Sequence, residues 1–268
     1  MRPKLLASRW GQPWFECKEL AEAHGVLALS SNYALYADLS NRVMNILRSY
    51  SPLTEVYSID ECFVDLTGMP KLRDISYQMR ERVMQWTGIP VCVGIGPTKT
   101  LAKLANHIAK TAERKPGVYP DHLAQVCNLG ALSKHERDEL LKATDVGDVW
   151  GVGRRIGSQL VEAGVTNALE LSKLDPAAVK ARWSVVLERT VRELNGVPCF
   201  DFEDGPADKK QIACTRSFGQ PVIELHHLQE AISEFASRAA EKLRKQNGHA
   251  GQVLAFIRTS PFRQNDKQ

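Results

Sequence analysis

The segment VYSIDECFVDLTG, residues 56–68, places two acidic residues inside a run that otherwise favours a β-strand. β-branched and aromatic residues dominate this run, which is typical of a half-buried strand. Asp60 and Glu61 are neighbours, so their side chains would point to opposite faces of a continuous strand. A tight turn at residues 59–60 removes the conflict, because segments 54–58 and 62–67 then form a hairpin with both carboxylates at its tip.

Such a pair of acids suggests metal chemistry. Two close carboxylates repel, and one of them stays protonated near neutral pH unless a cation lies between them. Mg²⁺ suits a carboxylate pair that also handles phosphate oxygens, and two ions about 3.5–4 Å apart promote in-line phosphoryl displacement. Asp60 and Glu61 are therefore candidate catalytic and metal-binding residues, and a polar hairpin tip without a role is the alternative. Asp65 lies in the second strand and is interpreted as structural.

The composition is that of a globular protein, with 268 residues, 43% apolar and 25% charged. No run approaches the roughly 18 apolar residues of a membrane helix, and the opening MRPKLLASRWGQPWF lacks the apolar core of a signal peptide. A cytoplasmic location without a membrane partner is expected. The six cysteines are scattered and form no CxxC pair, so neither a zinc site nor a disulfide framework is predicted.

The first half of the chain alternates between helical and strand patterns. Apolar periodicity predicts helices over 34–50, 74–87 and 98–112, and the apolar run 91–95 predicts a strand before the third helix. One face of the second helix is predicted to carry four apolar residues, Ile75, Met79, Val83 and Trp86. This order predicts a small layered arrangement of helices and strands.

The second half changes character. Residues 122–204 indicate short helices, and Ser133 with Glu136 forms a capping-box pattern. A polar, turn-rich linker is predicted over 204–210. Beyond it we expect a strand, a helix ended by Gly248 and a second strand, over 212–218, 225–246 and 252–259 respectively.

A second motif is DVWGVGRRIG, residues 148–157, which is followed by a helix. Its Gly-x-Gly turn lets backbone N–H groups approach a phosphate, and the next helix adds the positive end of its dipole. This pattern favours a helix-hairpin-helix that binds the DNA backbone without reading its sequence. A plain helical turn is the alternative. The candidate contacts are Gly151, Val152, Gly153, Arg154 and Arg155.

The C-terminal part of the chain is basic. Residues 209–268 hold ten Lys and Arg against five Asp and Glu, an excess of five positive charges in a chain whose net charge is +4. An anionic partner such as nucleic acid fits this excess. A solvated basic helix face fits it equally.

Several segments together resemble the Y-family translesion DNA polymerases, and among them the bacterial UmuC-type branch. They are SSNYALYADLSNRVMNILRSYSPLTEVYSIDECFVDLTG, VCVGIGPTKTLAKLANHIAK, DVWGVGRRIGSQL, VVLERTVRELNGVPC and FIRTSPF. The resemblance runs from about Lys4 to Phe262. It implies an α+β fold with a ferredoxin-like palm, a helical thumb with the helix-hairpin-helix, and a partial α/β little finger.

The resemblance also implies domain bounds and site residues. The bounds are 1–29 for a remnant of the fingers, 30–121 for the palm, 122–204 for the thumb and 211–268 for the little finger. The family's catalytic acids fall on Asp60 and Glu61, and its Tyr-x-x-x-Ser element falls on Tyr36 and Ser40. The triphosphate-binding lysine falls on Lys115 or Lys110. Candidate backbone contacts of the little finger are Arg216, Lys242, Arg244 and Arg258.

The implied activity is DNA-directed DNA synthesis past lesions, within DNA repair and the SOS response, with two Mg²⁺ ions. The implied partners are primer-template DNA, deoxynucleoside triphosphates, a UmuD-like accessory dimer, RecA and a sliding clamp. The family's first strand, with a third metal-binding acid and an aromatic steric gate, has no counterpart here, and neither does its clamp-binding tail. We therefore expect the 268-residue chain to be truncated at both ends and weak or inactive by itself.

Two other interpretations remain open at this point. The first is that the chain is a catalytically dead remnant of such a polymerase, which binds DNA or the partners of the active enzyme. A metal-dependent nuclease built on the acid pair and the helix-hairpin-helix is the second and weaker one, because the palm-like pattern argues against it.

Overall fold

The computed structural model describes residues 12–203 and 209–259. The chain divides into two compact units, Met1–Asp204 and Gly205–Gln268. The described residues combine helices with short strands, in agreement with the predicted α+β class.

The first unit contains two pairs of strands. Strand β1 (Thr54–Val56) pairs antiparallel with β2 (Cys62–Val64), so the predicted hairpin around residues 57–61 is confirmed. Strand β3 (Val93–Ile95) pairs in parallel with β4 (Val126–Asn128). Strand β4 was not predicted, because its three residues are too few to show a period.

Nine α-helices accompany these strands in the described part of the first unit. They are α1 (Trp14–Ala23), α2 (Tyr33–Arg48), α3 (Leu72–Thr87), α4 (Lys99–Arg114), α5 (Lys134–Lys142), α6 (Arg154–Glu162), α7 (Ala168–Ser172), α8 (Pro176–Arg182) and α9 (Val185–Leu194). The predicted capping box opens α5, since Ser133 and Glu136 exchange hydrogen bonds. It satisfies N–H groups that the first helical turn leaves unpaired.

Helix α4 is the centre of the first unit. Leu101, Leu104 and Ile108 on its inward face are buried, as the periodicity predicted. They belong to one apolar cluster that continues through the short helices to Leu160 on α6 and Leu187 on α9.

The backbone of α4 lies directly against β3. A Cβ atom added at Gly94 would lie 2.1 Å from the backbone nitrogen of Asn106, and one added at Gly96 would lie 2.7 Å from that of Ala102. Such distances leave no room for a side chain, so this close approach of helix and strand requires glycine at both positions.

Helix α3 is buried along only part of the predicted apolar face. Met79 and Val83 are buried, whereas Trp86 at the end of this face is 65% exposed. The Trp86 ring lies 5.9 Å from the guanidinium of Arg82. This is a cation–π distance, which gives the exposed ring a favourable contact on the surface.

The second unit contains one described helix, α10 (Leu225–Lys245), close to its predicted bounds. It ends through Asn247, which takes the left-handed conformation at φ 51°, while Gly248 donates its N–H to Leu243. The strands predicted over 212–218 and 252–259 are absent from the described part of this unit, so that prediction was wrong. The backbone N–H and C=O groups of a strand need a partner strand, and no two segments within residues 209–259 pair in this way.

None of the helices in residues 12–203 and 209–259 is long and apolar enough to cross a membrane.

Candidate functional site

The tip of the β1–β2 hairpin carries the two acids. The N–H groups of Tyr57 and Ser58 both donate to the carbonyl oxygen of Glu61, at 3.1 and 3.0 Å, and close the connection between the strands. Ser40 Oγ on α2 donates to the carbonyl oxygen of Ile59 at 2.5 Å. The tip is therefore fixed both internally and against α2.

The two carboxylates have separate partners. Asp60 is exposed, and its Oδ1 accepts a hydrogen bond from Ser58 Oγ at 2.6 Å. Glu61 is half-buried and forms an ion pair with Lys103 on α4, with 2.6 Å between Nζ and Oε2. Convergence of both acids on one ion stays a prediction.

The base of the hairpin is anchored to the N-terminus of α4. Lys99 forms a buried ion pair with Glu55 on β1 and donates to the carbonyl oxygen of Asp201 at 2.6 Å. Glu55 also accepts the N–H of Glu203 at 2.8 Å. The Lys99 ammonium further lies 5.2 Å from the ring of Phe63. Helix α4, β1 and the segment 201–203 are thus held together by one charge pair.

An aromatic cluster lies beside the hairpin. Trp150 Nε1 donates to the hydroxyl oxygen of Tyr57 at 3.0 Å. The Trp150 ring also contacts Phe63 and Phe200, with centroid distances of 5.8 and 5.2 Å. This cluster joins the acid-bearing hairpin to the Gly-x-Gly turn around Gly151.

Glu193 is a fully buried acid that sequence reasoning missed. Its Oε2 accepts the N–H and hydroxyl of Thr100 at 2.8 and 2.7 Å, and its Oε1 accepts the N–H groups of Cys199 and Phe200 at 2.9 and 3.1 Å. Four donors offset the cost of burying the group. The carboxylate fixes the start of α4 against α9 and the segment that follows.

Asp65 does not join the acid pair. Its Oδ1 accepts the N–H and hydroxyl of Thr67 at 2.9 and 2.5 Å, and these hydrogen bonds hold the pKa of its carboxyl below the usual value. The turn contact supports the structural interpretation. Next to Glu61, burial raises the pKa of the Cys62 thiol to about 11, which keeps it protonated.

The two candidate phosphate-binding lysines lie on the helix that carries Lys103 and directly after its end. Lys110 is half-buried on α4, and Lys115 is the exposed residue at which α4 ends. Lys110 lies seven residues after Lys103, which places the two on one face of the helix. The choice between Lys110 and Lys115 stays a prediction.

The Gly-x-Gly motif forms a tight turn before α6. Gly151 has φ 90°, which a side chain would disfavour, and Val152 is buried beneath the turn. Gly153 precedes α6, and Arg154 and Arg155 form its exposed first turn. A cavity of about 260 Å³ lies against the turn, lined by Gly147, Gly157 and Ser158 among others. DNA binding by this turn stays a prediction.

The basic candidates of the second unit are exposed. Lys242 Nζ on α10 donates to the carbonyl oxygen of Ala213 at 3.3 Å, and Arg258 lies over the Phe256 ring. Arg216 and Arg244 are exposed as well. Their role as contacts to the DNA backbone stays a prediction.

Sequence reasoning did not identify Lys99 and Lys103 as site residues. Both are spaced four apart on α4 and each pairs with an acid of the hairpin. Their spacing of four residues does indicate a shared helix face. It does not indicate the acids that they contact, because these lie more than forty positions away in the sequence. In the described ranges, no group of three or more His, Cys, Asp or Glu is arranged to hold a metal ion.

Two family models match the chain. One, described as the impB/mucB/samB family, matches residues 8–107, and the C-terminal domain of the same family matches residues 209–268. The acid pair and most of α4 fall within the first match.

Curated relatives match nearly the whole chain. Protein ImpB of Salmonella typhimurium is 43% identical over 97% of this chain, and protein UmuC of Salmonella typhimurium strain LT2 is 44% identical over 98%. Protein MucB of Escherichia coli is 41% identical over 99%. The chain spans about three-fifths of the length of each, with 60%, 61% and 61% covered.

Solved structures share the fold. A Y-family DNA polymerase chimera of Dbh and Dpo4 matches with a TM-score of 0.67 at 18% identity, covering 89% of this chain and 66% of the chimera. DinB from Sulfolobus solfataricus matches with a TM-score of 0.54 at 20% identity, covering 71% of this chain and 52% of that one.

Proposed function

This chain belongs to the impB/mucB/samB family, and from that premise we propose that it is a DNA-directed DNA polymerase of the Y family, acting in translesion synthesis, DNA repair and the SOS response. The observation that carries the proposal is the placement of Asp60 and Glu61 at a hairpin tip braced by α2 and α4. Polymerase chemistry needs carboxylates on a rigid element beside the substrate phosphates.

The donor set at the tip suits a hard divalent cation. Asp60 and Glu61 offer carboxylate oxygens, which Mg²⁺ prefers, and Asp60 is exposed. We propose that both acids hold Mg²⁺ ions, two in the complete family site. When bound, the ions stabilise the charge that develops as a primer hydroxyl attacks a nucleotide phosphate.

The substrate-binding roles follow from charge and position. Lys110 or Lys115 would neutralise the nucleotide triphosphate from α4 or its end. Gly151, Val152 and Gly153 would approach the duplex backbone, with Arg154 and Arg155 adding charge. The UmuD-like dimer, RecA and the sliding clamp remain proposed partners, and the cytoplasm remains the proposed location.

The test is nucleotide-dependent DNA binding by the 268-residue chain. A primer-template with a dideoxy-terminated primer reports binding by fluorescence anisotropy. We expect Mg²⁺ with the nucleotide that pairs with the template base to tighten binding, and a mismatched nucleotide to have no such effect. Asp60→Asn and Glu61→Gln should abolish the nucleotide effect. Asp65→Asn, which changes an acid of the same hairpin outside the pair, is the matched control and should keep it.

The outcomes separate the candidate functions. Salt-sensitive DNA binding that no nucleotide changes would contradict the polymerase and support the DNA-binding remnant. That second function is favoured by one observation, the exposed Arg154 and Arg155 in the first turn of α6. Degradation of an extendable primer without nucleotides would support a nuclease instead.

A further inference from the structure

Two lysines of α4 contact two acids of the hairpin. Lys99 pairs with Glu55 at the base, and Lys103 pairs with Glu61 at the tip. One helical turn separates the lysines, so both project from the same face of α4. The helix therefore supplies one positive charge to each end of the hairpin.

The two pairs differ in their access to solvent. The side chains of Lys99 and Glu55 are 7% and 11% exposed, whereas those of Lys103 and Glu61 are 20% and 34% exposed. Glu55 also accepts the backbone N–H of Glu203, which ties it to a further segment. The pair at the tip is the one that an ion from solvent can reach.

The Lys103 ammonium has a second support at the tip. It lies 5.0 Å from the centroid of the Tyr57 ring, a cation–π distance. Tyr57 is in turn held by the hydrogen bond from Trp150 and by edge contact with Phe63. The ammonium can therefore loosen from Glu61 and still lie beside the tip.

We propose that Lys103 is a resident counter-cation of Glu61, which neutralises this acid until a divalent cation displaces it. Lys103 is thus a positioning residue that sets how readily the acid pair takes up a metal ion. The inference rests on the proposed function, because it requires a metal site at Asp60 and Glu61. The proposed role and a purely structural role of Lys103 predict opposite changes in metal affinity when the lysine is removed. A brace would hold the site together, so its removal would weaken metal binding, whereas removal of a competitor strengthens it.

The test is Mn²⁺ binding by the full chain without DNA or nucleotide, measured by electron paramagnetic resonance of the free ion. We expect Lys103→Met to raise the affinity about two- to fivefold, the size of a partly exposed ion pair. Lys103→Arg keeps the charge and should keep the original affinity. Lys142→Met is the matched control, because this exposed lysine of α5 lies outside the site. Lys103→Gln provides the same test if the methionine variant folds poorly.

Glu61→Gln distinguishes failure of the inference from failure of the proposed function. If Glu61→Gln weakens Mn²⁺ binding but Lys103→Met leaves it unchanged or weaker, the counter-cation is wrong and the metal site stands. If Glu61→Gln has no effect in either background, the metal site and the inference both fail. An equal gain in Lys142→Met would reduce the effect to net charge and overturn the inference.

Discussion

The base and the tip of the β1–β2 hairpin face the same helix with the same chemistry, yet they differ in burial. At the base, Glu55 and Lys99 are buried and share contacts with the segment 201–203. At the tip, Glu61 and Lys103 are partly exposed, and Asp60 is open to solvent. Breaking a buried pair is costly while an exposed pair contributes little. The base is therefore expected to fix the hairpin, and the partial exposure of the tip is what the proposed exchange of its cation requires.

The largest effect is expected from Glu193→Ala. This substitution removes the carboxylate that binds Thr100 at the start of α4, where the base of the hairpin is anchored. Four donors from Thr100, Cys199 and Phe200 would lose their buried acceptor, so the free energy of unfolding should fall by about 3–5 kcal/mol. Urea unfolding followed by circular dichroism measures it. Glu139→Ala, at an exposed acid of α5, is the control and should cost less than about 0.5 kcal/mol. Equal losses for the two variants would contradict the anchor.

The same substitution at Lys99 and at Lys103 compares the base of the hairpin with its tip directly. Lys99→Met leaves the Glu55 carboxylate buried without its cation and should cost about 3 kcal/mol of unfolding free energy. Lys103→Met removes a partly exposed pair and should cost about 1 kcal/mol or less. The same urea titration ranks the two variants. A reversed order would show that the tip, and not the base, holds the hairpin.

The smallest expected effect is a pH dependence from Asp65. Hydrogen bonds from Thr67 lower the pKa of its carboxyl below 3.8 in the folded protein. Its contribution to stability is therefore full above the unfolded pKa and is lost as pH falls through the lower folded pKa. The difference in unfolding free energy between the parent and Asp65→Asn should stay constant above about pH 5 and shrink below about pH 4. Thr67→Val should reduce that difference, and a difference independent of pH would contradict this origin.

Much of the first unit was predictable because its signals are local. The hairpin followed from two adjacent acids in an apolar run, and the buried face of α4 followed from its 3.6-residue period. The contacts of Lys99, Lys103 and Glu193 were not predictable in the same way. The ion pairs of Lys99 and Lys103 and the contact of Glu193 with Thr100 join positions 42 to 93 residues apart, and only the packing of α4 brings them together.

The failed prediction of strands in the second unit and the exposure of Trp86 have physical causes as well. The runs 212–218 and 252–259 have strand-like composition, but composition supplies no partner for the backbone, and the described residues of the second unit form no pair. Trp86 fitted the apolar period of α3, yet its contact with Arg82 offers an alternative to burial. Membership of the family supports the role proposed for the acid pair, whereas the contacts of the pair with α4 were found only in the three-dimensional structure.

Gly94 in β3 and Gly96 just after it limit how far α4, and with it the site, can move. Because Gly94 and Gly96 let the chain contact the backbone of α4 directly, no space is left between the two elements for a side chain. A single methyl group at either position would lift the helix, and Lys99 and Lys103 would move with it as one rigid body. The mechanical tolerance of the acid-bearing tip is thus set by two residues without side chains, more than thirty positions along the chain from the acids whose surroundings they define.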